Sequence, residues 1–231
     1  MHRPVALLAA IAALMLASCV LSPGKFTSDL SIGKDRAFTF RYSGEVIAID
    51  PTSSLDGLPT ASNAEKDPAA IAAEKADKQK KAAERETKYR AMAEALSREQ
   101  GVRKITYAGN GKFMLDYEIS GTLDHGFVFP FNTDAEVVIP FLAIELRKDG
   151  SARVKAPGFV GSAKESPIPG APPLGGSNGT ADGTFTVRTD AEILMHNSEA
   201  GVKKEAGRNV VSWRVTPLTK EAPVLSLRFT R

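Results

Sequence analysis

Lys112-Phe113-Met114-Leu115-Asp116-Tyr117-Glu118-Ile119-Ser120 is the stretch that decides the fold. Side chains alternate across an extended backbone with a period of two. Phe113, Leu115, Tyr117 and Ile119 therefore share one face, and Lys112, Met114, Asp116, Glu118 and Ser120 share the other. That is a strand with one side against a core and one side toward water. Immediately upstream, Gly109-Asn110-Gly111 separates it from Val102, Ile105 and Tyr107. An Asn-Gly pair suits the two positive-φ positions of a tight hairpin turn. The chain is expected to fold back here into an antiparallel pair.

Outward from this hairpin the same alternation recurs. Leu30 and Ile32 lead into Gly33-Lys34-Asp35-Arg36, a polar turn, and Phe38, Phe40 and Tyr42 follow with period two, then Val46, Ile47 and Ile49. This predicts an opening hairpin, with Gly44 at a bulge or bend. Phe127, Phe129 and Phe131 form a short aromatic run broken by Pro130. Residues 137–146 read as a strand that Pro140 places at an edge or bulge, and Lys148-Asp149-Gly150 turns it into Ala152–Lys155. Phe185, Val187, Thr189, Ala191, Ile193 and Met195 read as one alternating strand ending in an Asn197–Gly201 turn. Residues 210–215 and 224–229 close the series. Residues 156–183 are rich in Pro, Gly and Ser and read as a flexible loop.

One segment has the helical period instead. Asp67-Pro68 is a start signal, an Asp cap with Pro at the first helical position. Gly101 is a stop, giving a helix over about 68–100. Tyr89, Met92, Ala93 and Leu96 make an i, i+3, i+4, i+7 docking stripe. The first half, up to Glu86, is alanine, lysine and glutamate with Ile71 as its one large apolar residue. It has little to bury and is expected to be exposed or projecting. Strands in runs plus one helix imply an α+β fold. The expectation is a single domain over 28–231, a curved antiparallel sheet approaching a half-barrel, with the helix packed on it.

The amino terminus carries the address. His2 and Arg3 precede an apolar run from Val5 to Ala17, too short for a stable membrane span. Leu16-Ala17-Ser18-Cys19 resembles the lipobox of bacterial lipoproteins, in which the chain is cut before the cysteine and its thiol takes a diacylglyceryl group. The chain has one cysteine, and it stands at this position. Residues 1–18 then read as the signal peptide, Cys19 as the lipidation site and 19–27 as a short tether. Several acyl chains hold a protein to a bilayer where one gives only marginal binding. The resemblance implies the bacterial cell envelope, with palmitate among the acyl groups. Val20 in place of Asp after the cysteine implies the outer membrane, facing the periplasm.

The opening hairpin after Cys19, the helix inserted before a run of strands, and the closing 193–215 segment together resemble the LppM-like bacterial lipoproteins. In that closing segment a strand and Asn197-Ser198-Glu199-Ala200-Gly201 precede Val211-Ser212-Trp213. The resemblance implies a membrane-associated β-domain with a lipid-type ligand, and it transfers no binding residue. The chain departs from the family in its long charged helix and in lacking a C-terminal apolar run of membrane-span length.

Composition narrows the chemistry. A net charge of +3 over 231 residues gives no footprint for nucleic acid. Two histidines downstream of the signal, His125 and His196, with no second cysteine make a poor metal set. Gly109-Asn110-Gly111 and Gly175-Gly176 read as turn glycines without the following helix that a phosphate cradle needs. Asp116 and Glu118 share a face and read as the polar side of their strand. No cofactor is expected, and a hydrolase is the remote alternative. Phe127, Phe129, Phe131 and Phe141 either line an apolar ligand pocket or belong to the core, the core being the plainer reading. The expected function is a non-catalytic binding or assembly module, with a lipid or other apolar ligand as its occupant. The alternative is an envelope scaffold that meets a protein through the projecting helix.

Overall fold

A computed structural model describes residues 20–49, 68–130, 140–160 and 180–229. Twelve strands and one α-helix are assigned among them. β1 (Val20–Ile32) and β2 (Ala37–Ile49) form the opening hairpin, with Ile32 opposite Phe38. Helix α1 (Pro68–Leu96) follows, then β3 (Val102–Gly109) and β4 (Lys112–Thr122). Asn110 and Gly111 both have positive φ, 54° and 72°, as the turn requires.

The strands make two sheets rather than one, and neither closes into a barrel. β8 (Asp182–Thr189), β10 (Val202–Glu205) and β11 (Arg208–Val215) join β1–β4 in a seven-stranded sheet of order β10-β11-β8-β1-β2-β4-β3. β5 (Phe127–Phe129), β6 (Leu142–Leu146), β7 (Ser151–Lys155), β9 (Glu192–His196) and β12 (Val224–Arg228) make a five-stranded sheet of order β5-β6-β7-β12-β9. All pairings are antiparallel except β1 with β8, which run parallel. The fold is α+β and mainly antiparallel.

Three sequence readings are corrected. Residues 20–27 are not a tether: they are the first half of β1, paired with β2 from Val20 opposite Ile49. Pro and Gly disfavour strand interiors, yet Gly24 and Lys25 together oppose Glu45 as a bulge beside Gly44. Residues 185–195 are not one strand. The chain leaves the large sheet at Thr189 and enters the small one at Glu192, across a corner where Ala191 N–H donates to Thr189 Oγ1 at 3.0 Å. Of the 156–183 stretch read as a loop, Pro157–Phe159 form a 3-10 turn and Asp182 is already in β8. The signal segment, Phe131 and residues 161–179 lie outside the described residues.

The two sheets pack face to face through a row of aromatic rings. From the β11 side it runs Trp213, Phe185, Phe159, Phe26 and Tyr42, with centroid steps of 5.5, 5.6, 4.3 and 5.7 Å. Tyr42 continues it to Phe129 and Phe141 at 5.6 and 5.7 Å. Each ring of this size takes a large apolar area out of water. Near β3 the same face of the large sheet is covered by α1 instead. Tyr89 and Ala93 are buried there, and the Tyr89 ring lies edge-on to Phe113 at 6.0 Å. Ile71 to Glu84 are exposed throughout, so only the second half of α1 docks.

Candidate functional site

The end of the large sheet where β1 begins is the place where the sequence signal meets the structure. Val20 pairs with Ile49, and Ile47 pairs with Lys112 at the start of β4. Ala48 N–H donates to Gly111 O at 2.8 Å, which brings the Asn110-Gly111 turn to the same end. Cys19 precedes Val20 by one peptide unit, about 3.8 Å between Cα atoms. No spare residue separates Cys19 from a central strand.

Two carboxylates fasten this end. Glu45 accepts Lys25 N–H at 3.1 Å and Lys112 Nζ at 3.0 Å. The Lys25 amide, and then the Lys112 ammonium, hold its carboxyl below the ordinary glutamate value. Glu86 is the second. Its Oε1 accepts the Tyr107 hydroxyl at 2.7 Å and Asn110 N–H at 3.2 Å. Tyr107 Oη in turn accepts Gly111 N–H at 3.0 Å. Burial raises the Tyr107 phenol pKa, so it stays a donor. Glu86 thus pins α1 to the turn. Sequence reasoning missed both residues. For Glu86 the signal was there: it lies three residues before Tyr89, on the docking face.

The other sequence candidates are scattered. Phe129 and Phe141 are buried and stand edge-on to each other at 5.8 Å, while Phe127 is half-buried against Phe38 and Phe40 at 5.2 and 5.8 Å. Their rings fill the sandwich, one against the next. His125 is exposed and bonded to the adjacent Asp124. His196 ends β9, far from it in the chain, and its Nδ1 accepts Ser198 N–H at 3.2 Å. Asp116 and Glu118 do not pair: Glu118 sits between Arg41 and Arg103, each at 2.9 Å. The Arg41 hydrogen bond, foremost, holds the Glu118 pKa low. Among the described residues no three His, Cys, Asp or Glu side chains gather as a metal set. No described helix is long and apolar enough to cross a membrane.

At the opposite end of the sheet, Ser31, Asp35, Phe38, Asp190 and Arg208 line an open polar cleft of about 220 Å³. Its groups serve the fold. Arg208 donates to Ser31 Oγ at 2.8 Å, and Asp190 Oδ1 accepts Lys34 N–H at 2.7 Å.

No family model and no curated protein matches the chain. Among solved structures, it aligns with the folded domain of LppM from Mycobacterium tuberculosis at 17% identity and a TM-score of 0.33, covering 92% of this chain and 93% of that one. It also aligns with an M1 zinc metallopeptidase from Deinococcus radiodurans at 9% identity and a TM-score of 0.26, covering 90% of this chain and 42% of the peptidase. At such TM-scores neither likeness carries a functional inference.

Proposed function

We propose that this chain is a lipid-anchored lipoprotein of the bacterial cell envelope, working as a non-catalytic assembly module held close to the membrane. The observation that carries the reading is the continuity of the lipobox with the fold. The one cysteine follows Leu16-Ala17-Ser18, and the next residue is already paired in a central strand. Acylation at Cys19 would fix the sandwich to the bilayer without a flexible spacer. The outer membrane, facing the periplasm, is the proposed location, from Val20 after the cysteine. A lipid ligand inside the sandwich finds less support, because Phe129 and Phe141 already pack against each other and Tyr42. Labelled palmitate supplied to cells making the full chain tests the reading. Label is expected in the wild-type protein and absent from Cys19→Ser, whose signal should remain uncut. Equal labelling of both, or of neither, would overturn it.

A further inference from the structure

The turn between β3 and β4 is built from a dipeptide open to a specific chemical change. Glycine is required at position 111 twice over: its φ is 72°, and a Cβ there would stand 2.8 Å from Ala48 O and 3.5 Å from the Tyr89 ring. Position 110 has a φ of 54°, which asparagine tolerates. An asparagine followed by glycine can lose its side-chain amide, because no side chain shields the next backbone nitrogen. The Gly111 N to Asn110 Cγ bond forms, the Cγ–Nδ2 bond breaks, and ammonia leaves with the Gly111 amide proton. Water then opens the resulting imide, either to aspartate or to a β-linked aspartate with one more main-chain carbon.

The docked helix holds the attacking nitrogen. Gly111 N–H donates to Tyr107 Oη at 3.0 Å, and Asn110 N–H donates to Glu86 Oε1 at 3.2 Å. The same Glu86 oxygen accepts the Tyr107 hydroxyl at 2.7 Å, so one side chain of α1 secures both amides. Gly111 is buried and Asn110 exposed. To reach Asn110 Cγ, Gly111 N must give up its bond and the 110–111 peptide must rotate out of the turn. Reaction therefore proceeds from a locally opened state, at a rate set by the population of that state. We infer that Asn110 is a deamidation site guarded by the docked half of α1, and that its conversion to an acid prevents that half from docking again. A carboxylate at 110 stands beside Glu86, which has the same charge. The β-linked form also lengthens the turn, so its two amides no longer match Tyr107 Oη and Glu86 Oε1. The inference holds whether or not Cys19 is acylated.

Peptide mapping by mass spectrometry tests it, on the full chain aged in mildly alkaline buffer with and without urea. Trypsin cuts after Lys104 and Lys112, so the fragment 105–112 carries the site. The folded wild-type chain should convert at least about tenfold more slowly than the chain in urea, since opening breaks three hydrogen bonds. Tyr107→Phe keeps the ring beside Tyr89 and Phe113 but removes the hydroxyl. It should recover most of that factor, as should Glu86→Ala. Asn110→Asp should raise amide exchange over 89–96 severalfold. Asn110→Gly, which suits the turn and bears no carboxyl, should leave that exchange as in wild type. Slow exchange across β8 shows in each variant that the sandwich is folded. Equal conversion with and without urea would overturn the guard, and so would wild-type rates in both Tyr107→Phe and Glu86→Ala. Unchanged exchange in Asn110→Asp, or an equal rise in Asn110→Gly, would overturn the block on docking.

Discussion

At Gly183 the parallel pairing of β8 with β1 leaves no room for a side chain. A Cβ there would stand 2.2 Å from Phe26 O and 2.6 Å from its ring. Gly183→Ala should cost about 2 kcal/mol or more, as overpacking against backbone does, read as a lower midpoint in urea unfolding. Asn197 is a second such point. Its Oδ1 accepts Trp213 Nε1–H and Val224 N–H, both at 2.9 Å, and its Nδ2 donates to Ala222 O at 2.8 Å. One side chain thus ties β11 of the large sheet to β12 of the small one. Asn197→Ala should cost about 2 kcal/mol, because it leaves partly buried donors unpaired. Glu45 gives a pH dependence. Its folded pKa lies below the ordinary 4.5, so its stabilisation is complete above that value and fades as pH falls through the folded one. Glu45→Gln should flatten the loss of stability in acid while lowering stability at neutral pH. These residues were visible in the sequence only as types. Gly183 and Asn197 read as loop or turn, because their partners lie in strands distant along the chain.

At the level of elements, α1 divides where its sequence does. Ala-rich, charged residues favour helix without offering anything to bury, and i, i+4 pairs such as Glu74 with Lys78 and Asp77 with Lys81, each 2.9 Å, decorate the exposed half. Amide exchange should therefore be fast over 71–84 and slow over 89–96. Removing residues 69–82 should leave the melting temperature of the remaining fold unchanged within about a degree, because surface changes cost little. Tyr89→Ala should undock the second half at about 3 kcal/mol, the cost of a buried ring, with a fall in helical circular dichroism. Both halves of the helix and both Gly-bearing hairpin turns were legible, since each depends on neighbours in sequence. The start of β1 was not. Pro23 and Gly24 are strand breakers by type, and only the partner strand, with Glu45 opposite the pair, turns them into a bulge. The corner at Asp190 was hidden for a similar reason. Alternation continues through it from Phe185 to Met195, so period alone cannot reveal a change of sheet.

For the molecule as a whole, strand types and the α+β class follow from local pattern, whereas the split into two sheets and the parallel β1–β8 contact depend on long-range register. The aromatic candidates show the same limit. Their apolar character was plain, but ring-on-ring packing between the sheets is a property of the assembled sandwich. The central claim is that Cys19 joins this sandwich directly to lipid. The most direct measurement is the intact mass of the full-length gene product purified from membranes, with fragmentation of its first residues. The account predicts a chain beginning at Cys19 and heavier than its residues by a diacylglyceryl group and an amide-linked acyl chain. A chain still carrying Met1, or one beginning elsewhere with an unmodified Cys19, would contradict it.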